Sequence, residues 1–189
     1  MTEVTVRVPG TTANCGPGFD TVGIACTIYN DLTLTLPDKE GFSLAVTGEG
    51  AGSIPANERN IAYQAVRAVL KKVGRHSPGI AIRMHNNIPL ARGLGSSAAA
   101  IVGALVAANA ATGGKLDREE LLAMATALEG HPDNVAPAIY GGITISMLSG
   151  GVPRTLRFDP PGELRMVVAV PAYGLSTKAA RQVLPKTVP

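Results

Sequence analysis

The segment from Ser96 to about Ala111 constrains the fold of this chain more than any other stretch. It consists mainly of alanine, with isoleucine, valine and leucine between the alanines and no charged residue. We predict that it forms a helix, and a helix that is apolar on every side must be covered by other elements. The chain as a whole is 46% apolar and only 16% charged, so it contains enough apolar side chains to build that cover.

Strand patterns and further helical patterns surround this buried helix. Alternation of apolar and polar residues, or short apolar runs, predicts strands at residues 4–8, 32–36, 42–46, 79–84, 141–148 and 164–170. Helical spacing and capping residues predict helices at residues 58–73, 96–111, 117–128 and 176–184. Strands come first and helices come later without strict alternation, which favours the α+β class over a doubly wound sheet.

Two connecting segments carry predictions about chain organisation. The sequence PDKEG, residues 37–41, predicts a hairpin-like connection between the second and third strands. The glycine-rich segment Leu148–Thr155 predicts a linker. The remainder of the chain after this linker is too short to bury a core alone, so we divide the chain into a domain at 1–152 and the beginning of a second domain at 153–189. We expect the chain to stop early in that second domain.

Composition and charge argue against several classes of function. The net charge is +3, the basic residues are scattered, and there are four tyrosines, three phenylalanines and no tryptophan. This disfavours nucleic-acid binding and fits a small anionic ligand, with a solvated basic surface as the alternative. No apolar run is long enough to span a membrane, and the start of the chain has no signal-peptide pattern. Cys15 and Cys26 fit neither a metal motif nor a disulfide framework, so we expect reduced thiols and a cytoplasmic protein.

The residues just before the buried helix form a candidate phosphate site. Ser96 lies where the helix begins, and the first amide groups of a helix lack partners within it and carry partial positive charge. Gly93 and Gly95 let the backbone approach a ligand, while the hydroxyls of Ser96 and Ser97 are additional donors or magnesium ligands. A glycine-serine turn that merely caps a core helix is an equally open interpretation.

Neither of two well-known nucleotide motifs explains this stretch. The pattern GxxxxGK[ST] is absent, because Lys115 after Gly114 is succeeded by Leu116. The sequence GLGSSA at residues 93–98 fits the GxGxxA dinucleotide fingerprint, but it does not come directly after a strand near the start of a βαβ unit. A dinucleotide-dependent dehydrogenase is therefore a weak alternative.

Residues 89–99, PLARGLGSSAA, resemble the signature of the GHMP small-molecule kinases, which include galactokinase, homoserine kinase and mevalonate kinase. Three further stretches, 8–25, 129–142 and 176–185, resemble motifs of the homoserine kinase family. The resemblance implies a GHMP kinase fold, with an N-terminal ribosomal-protein-S5-domain-2-like domain and the start of a C-terminal ferredoxin-like α+β domain. It also implies ATP-dependent phosphorylation of the side-chain hydroxyl of L-homoserine, in threonine biosynthesis, with Mg²⁺.

The resemblance assigns residues to the nucleotide and metal side of the site. The signature residues would bind ATP, namely Pro89, Leu90, Ala91, Arg92, Gly93, Leu94, Gly95, Ser96, Ser97, Ala98 and Ala99. Asn60 resembles a residue that contacts adenosine or ribose, although a polar residue in the first turn of a helix describes it equally well. Ser97 and Glu129 match the magnesium-binding pair, with Ser96 as the alternative hydroxyl.

The resemblance also assigns the substrate side. Asp20 matches the acid that binds the ammonium group of the substrate, and Asn14 matches a neighbouring contact. Arg181 matches the residue that binds the carboxylate, a task that suits a bidentate guanidinium, and Thr177 would assist it. On the residues alone, Asp20 could pin its glycine-rich turn and Arg181 could be surface charge.

The polar segment GHPDN, residues 130–134, completes the candidate site. Its His131 would line the substrate site, and Asn134 matches a contact to the substrate hydroxyl. A turn with its own side-chain hydrogen bonds is the alternative. Asp133 is a candidate general base, but phosphoryl transfer through a loose transition state depends mainly on positioning and charge stabilisation, so we favour a reaction without one. His76 and His85 are interpreted as surface or packing residues.

Two other functions remain open at this stage. One is another GHMP kinase, acting on mevalonate, a sugar or shikimate. The other is a ligand-binding module that keeps the cleft but has no turnover. In the main interpretation the partners are L-homoserine and ATP, without nucleic acid or membrane, and a homodimer is possible.

Overall fold

The computed structural model describes residues 2–170 of the chain. Its strands are β1 Thr2–Ala13, β2 Val22–Leu36, β3 Gly41–Gly48, β4 Gly79–Asn86, β5 Ile143–Ser149 and β6 Val152–Phe158. Its helices are α1 Ile61–Lys72, α2 Ser96–Ala111, α3 Arg118–Glu129 and α4 Val135–Tyr140. The six strands form one mixed sheet against which the helices pack, so the α+β class is confirmed.

The long strand β2 organises the sheet. β1 runs antiparallel along one side of β2, and β4 and β5 pair with opposite ends of its other side. β3 lies outside β4 and parallel to it, and β6 lies outside β5 and antiparallel to it. This gives the order β3-β4-β2-β5-β6, with β1 as an additional partner of β2.

α2 is the buried helix that the sequence predicts, with the expected bounds. It packs against β1, β2, α1 and α3. Ile101 and Leu105 are fully buried, and burial of each such side chain contributes about 1.5–3 kcal/mol. At Gly103 a Cβ atom would lie 3.2 Å from Val8 Cγ2 and 3.3 Å from Leu32 Cβ, so the helix and the sheet approach closely there.

The ends of two other helices agree with local sequence signals. α3 begins with the expected capping box, in which the Glu120 N–H donates to Asp117 Oδ1 at 2.8 Å and the Asp117 N–H donates to Glu120 Oε2 at 3.2 Å. α1 stops just before Gly74, whose φ of 66° is the left-handed conformation at which helices commonly terminate. The helix α4 was not predicted, because six residues are too few for a helical pattern to stand out.

Three predictions about connections and strands are wrong. β2 and β3 form no hairpin, because β4 lies between them and pairs with both. The segment Leu148–Thr155 is the hairpin of β5 and β6, and its turn residues Gly150 and Gly151 have φ values of 58° and 80° that suit a tight two-residue connection. Residues 164–170 form no strand, since no strand of the described chain pairs with their backbone groups. The domain division after residue 152 stays a prediction.

The remaining sequence predictions concern the end of the chain, membrane-spanning helices and the two cysteines. The helix at 176–184, with Thr177 and Arg181, lies outside the described residues. No helix within residues 2–170 is long and apolar enough to span a membrane. Cys15 is exposed and Cys26 is buried, and neither is in a disulfide.

Candidate functional site

The loop before α2 has the geometry of an anion-binding helix N-terminus. Gly95 is the N-cap residue and, having no side chain, cannot cap the first amides of the helix. The Ala99 N–H donates to Gly95 O at 2.9 Å, so the N–H groups of Ser96, Ser97 and Ala98 have no partner within the helix. These groups and the helix dipole together favour an anion at this position.

A cavity of about 430 Å³ opens onto this N-terminus. Loop residues 90–97 form one part of its lining. A second, apolar group of lining residues includes Ile54, Ile61 and Met84. A third group is polar and consists mainly of Asn14, Glu129, His131 and Asn134. A ligand in this cavity therefore meets a helix terminus, an apolar surface and a polar cluster.

Ser97 and Glu129 meet at the cavity wall. Ser97 is in the first turn of α2, Glu129 is the last residue of α3, and Ser97 Oγ donates to Glu129 Oε2 at 2.9 Å. A hydroxyl and a carboxylate are hard oxygen ligands of the kind that magnesium takes, together with water and phosphate oxygens. The pair therefore fits Mg²⁺ at a phosphate site. No group of three or more His, Cys, Asp or Glu side chains suited to a metal occurs within residues 2–170.

Asp133 lies beneath the polar cluster and binds three of its members. Its Oδ1 accepts hydrogen bonds from His131 Nδ1 and from the Asn134 N–H, the latter at 3.0 Å. Its Oδ2 accepts a longer bond from Asn14 Nδ2 at 3.4 Å. The residue is fully buried and is not part of the cavity lining. Both carboxylate oxygens are thus engaged by neighbouring groups.

His131 presents a polarised imidazole to the cavity. Its hydrogen bond to Asp133 raises the pKa of His131 above the ordinary value, and burial opposes this shift. The charges of Asp133, Glu129 and Asp20 raise the pKa further. The imidazole therefore stays protonated over a wider pH range than a free histidine, which suits contact with an anionic group.

Asn134, just before α4, is held by a residue that the sequence analysis missed. Thr11 Oγ1 donates to Asn134 Oδ1 at 3.0 Å, and the Thr11 N–H donates to Leu94 O at 3.0 Å. Thr11 is fully buried within β1. Thr11 lies within residues 8–25, the stretch that resembles a homoserine kinase motif, but no local sequence pattern distinguishes Thr11 from Thr12.

The loop between β1 and β2 carries two of the predicted substrate residues in an unusual backbone conformation. Asn14 and Asp20 have φ values of 62° and 53°, a left-handed region uncommon for residues other than glycine. Asn14 Oδ1 accepts a hydrogen bond from the Asp20 N–H at 2.8 Å and so ties the two ends of the loop together. Asn14 lines the cavity, whereas Asp20 does not. Backbone strain of this kind is common at binding sites.

Comparisons with known proteins find similarity to small-molecule kinases. The family model described as the GHMP kinases N terminal domain matches residues 60–142. The homoserine kinase of Moorella thermoacetica is 52% identical over 183 residues, which cover 97% of this chain and 61% of that protein. The homoserine kinase structure from Cytophaga hutchinsonii matches with a TM-score of 0.86 at 31% identity, covering 100% of this chain and 62% of that one. The chain is therefore similar to GHMP kinases over residues 60–142 and to homoserine kinases over nearly its whole length.

A mevalonate kinase of much lower identity shares the fold with this chain. The mevalonate kinase of Methanococcus jannaschii matches with a TM-score of 0.66 at 16% identity, covering 84% of this chain and 56% of that one.

The homoserine kinase of Carboxydothermus hydrogenoformans is 46% identical over 186 residues, or 98% of this chain and 60% of that protein. The chain therefore spans about three fifths of the length of the homoserine kinases that it matches.

Most of the loop that resembles the GHMP kinase signature lines the cavity, but three of its residues do not. Residues 90–97 all contribute to the lining. Pro89 is absent from it, and Ala98 and Ala99 are buried behind it within α2, so they support the loop rather than form its surface. Arg92 is tied back onto the loop, since its Nη1 donates to Leu90 O at 3.0 Å.

Two further asparagines, Asn60 and Asn86, line the cavity. Asn60 is the N-cap of α1, because its Oδ1 accepts from the Ala62 N–H at 2.9 Å and its Nδ2 donates to Pro55 O at 3.0 Å. The structure thus shows a capping role, and contact with nucleotide stays a prediction. Asn86 was missed by the sequence analysis. Its Nδ2 donates to Glu49 O at 3.1 Å, and its buried Oδ1 has no partner among the described residues.

Proposed function

We propose that this chain forms the nucleotide-binding part and much of the acceptor site of a kinase that phosphorylates the side-chain hydroxyl of L-homoserine. One observation carries the proposal: the N-terminus of α2, the Ser97–Glu129 pair and Asn134 share one cavity. The relatives that match nearly the whole chain are named homoserine kinases, which favours this amino alcohol over mevalonate, a sugar or shikimate. The product would be O-phospho-L-homoserine, an intermediate of threonine biosynthesis.

ATP would bind along the cavity with its phosphates at the start of α2. The N–H groups of Ser96, Ser97 and Ala98, which have no partner within α2, would donate to phosphate oxygens, and the helix dipole would favour the negative charge of those oxygens. The adenosine would lie against the apolar lining near Ile61 and Met84. This arrangement matches each part of the nucleotide with a surface of suitable chemistry.

Ser97 and Glu129 would hold Mg²⁺ beside the phosphates. When bound, the ion would supply positive charge against the negative charge that develops on the phosphoryl group during transfer. The hydrogen bond between Ser97 and Glu129 already holds both oxygens at the start of α2, where the phosphates would lie. The amide donors of α2 and the oxygen ligands Ser97 and Glu129 would therefore act together on the triphosphate.

The acceptor is a zwitterion and needs partners of both charges. The carboxylate of Asp20 would bind its ammonium group, with Asn14 as a second contact on the same loop. Arg181 and Thr177, which lie outside the described residues, would bind its carboxylate. Asn134 would orient the hydroxyl towards the phosphates, since it lines the cavity that the start of α2 also lines.

The surroundings of Asp133 support transfer without a dedicated base. Its side chain is fully buried, it is not part of the cavity lining, and both of its oxygens accept hydrogen bonds from neighbouring residues. A base must come within hydrogen-bond distance of the proton that it removes. In a loose transition state the barrier falls mainly through positioning and charge stabilisation, which this site offers without a base.

The proposal extends to the organisation of the whole protein. Residues 1–152 would form the ATP-binding domain, and residues 153–189 would begin a C-terminal ferredoxin-like domain. The greater length of the homoserine kinases that the chain matches supports a larger protein of this kind. A cytoplasmic location and a homodimer complete the expectation.

An ADP-release assay with separate acceptors tests the proposed function. L-homoserine, mevalonate, galactose and shikimate would each be supplied with ATP and Mg²⁺. We expect ADP release with L-homoserine and none with the other three. Release with mevalonate and none with L-homoserine contradicts the substrate assignment. ATP binding that needs no Mg²⁺ and gives no turnover with any acceptor identifies a ligand-binding module instead.

A further inference from the structure

Thr11 occupies a place that joins the two halves of the candidate site. It lies on β1 at the point where the register with β2 shifts, between Pro9 and Thr11. Its exposed fraction is 0%, and it is not among the residues that line the cavity. It therefore acts on any ligand only through the residues that it contacts.

Thr11 contacts both the loop before α2 and Asn134. The backbone N–H of Thr11 donates to Leu94 O at 3.0 Å, which fixes the strand to the signature loop. The hydroxyl of Thr11 donates to Asn134 Oδ1 at 3.0 Å. At Gly95 an added Cβ atom would lie 2.1 Å from Thr11 Oγ1, so the loop backbone also packs directly on the hydroxyl. One buried side chain thus touches the residues that would hold the phosphates and the acceptor hydroxyl.

We infer that Thr11 is a positioning residue that sets the place and orientation of Asn134 relative to the start of α2. The Thr11 hydroxyl donates to Asn134 Oδ1 and so orients the side-chain amide, whose Nδ2 group can then donate to the hydroxyl of the acceptor substrate. In-line transfer requires the acceptor oxygen and the phosphoryl group to be held about 3–3.5 Å apart. A loss of this contact therefore affects turnover more than the binding of ATP.

The inference rests on the proposed function, and a pair of substitutions separates the hydroxyl from the packing. Thr11→Val keeps the branched shape and removes the hydroxyl, whereas Thr11→Ser keeps the hydroxyl and removes the methyl group. Thr33→Val is the matched control, because it also replaces a threonine hydroxyl in a strand. The hydroxyl that it removes forms an exposed hydrogen bond of 2.9 Å between Thr33 Oγ1 on β2 and Thr5 Oγ1 on β1. Steady-state kinetics with both substrates would be compared for the three variants and the unchanged protein.

We expect Thr11→Val to lower kcat by about 10- to 100-fold, the effect of a small misplacement of reacting groups, with the KM for ATP nearly unchanged. Thr11→Ser should keep most of the turnover, and Thr33→Val should match the unchanged protein. An unchanged kcat in Thr11→Val overturns the inference. Equal losses in Thr11→Val and Thr11→Ser overturn it as well, because they indicate packing rather than the hydroxyl. If Thr11→Val does not fold, Thr11→Ala must show the same loss of kcat.

A second measurement separates this inference from the proposed function. The side-chain amide resonances of Asn134 in an NMR spectrum should shift in Thr11→Val and stay near their original position in Thr11→Ser. Unshifted resonances in Thr11→Val overturn the inference whatever the substrate is. Absence of any transfer to L-homoserine by the unchanged protein contradicts the proposed function instead, and the kinetic comparison is then made with the alcohol that the protein does phosphorylate.

Discussion

Replacement of Gly95 by alanine tests the geometry of the phosphate loop. Gly95 has a φ of 67°, and an added Cβ would lie 2.1 Å from Thr11 Oγ1 and 3.0 Å from Thr11 O. The left-handed backbone costs a residue with a side chain about 1–2 kcal/mol. Displacing the buried Thr11 resembles overpacking of a core, which costs about 1–3 kcal/mol. Gly95→Ala should therefore lower the free energy of unfolding by roughly 2–5 kcal/mol.

Gly93 offers a matched control in the same loop. Its φ is 70°, almost the value of Gly95, but an added Cβ atom would have no atom within 4 Å. Gly93→Ala should therefore show only the backbone effect, a loss of about 1–2 kcal/mol. Urea unfolding monitored by circular dichroism measures both losses, provided that the slope of the transition stays constant between variants.

Equal losses in the two variants would refute the reasoning, because the shared backbone conformation would then explain both. ATP provides a second comparison, since a ligand that binds the folded state raises the unfolding midpoint. Gly95→Ala should reduce this stabilisation by ATP, because the displaced loop no longer aims its N–H groups at the phosphates. If ATP raises the unfolding midpoint of Gly95→Ala as much as that of the unchanged protein, phosphate binding at the start of α2 does not depend on the contact with Thr11.

Three further predictions concern the polar cluster and the metal pair. In initial-rate kinetics, Asp133→Asn should keep a substantial fraction of turnover, whereas Asn134→Ala should lose most of it. A loss of turnover beyond ~10³-fold in Asp133→Asn, with substrate binding intact, would indicate that Asp133 is a general base. Because Asp133 raises the pKa of His131 in the folded state, this pair stabilises the fold fully below the unfolded pKa of about 6.5 and loses that effect as pH rises through the folded pKa. Urea unfolding should therefore show a larger destabilisation by Asp133→Asn at about pH 6 than at about pH 9, and equal values at both would contradict the pairing. Ser97→Ala and Glu129→Gln should each raise the Mg²⁺ concentration for half-maximal rate by about 10-fold or more, and an unchanged Mg²⁺ dependence in both variants would exclude the metal pair.

Features with local signals were predictable from the sequence. The bounds of α2 are predicted by its apolar composition and by the glycine-serine stretch before it. The start of α3 is predicted by the Asp117–Glu120 spacing, which forms the expected capping box. The amide donors at the end of loop 90–97 could be predicted because they depend only on where α2 begins, whereas phosphate binding there stays a prediction.

Features that depend on distant segments could not be predicted. The hydrogen bond of Thr11 with Asn134 joins residues 123 positions apart, and that of Asn14 with Asp133 joins residues 119 apart. Nothing local shows that these segments meet, so Thr11 was overlooked and the burial of Asp133 was not foreseen. The hairpin expected between β2 and β3 failed for the same reason, since β4 comes later in the chain and inserts between them.

Transfer of a labelled γ-phosphate from ATP tests the central claim most directly. The protein would be incubated with labelled ATP, Mg²⁺ and L-homoserine, and the products would be separated and identified. The account predicts that the label appears in O-phospho-L-homoserine and that transfer stops when Mg²⁺ is chelated. Label that appears only in inorganic phosphate, or in the product of another alcohol while L-homoserine stays unlabelled, would contradict it.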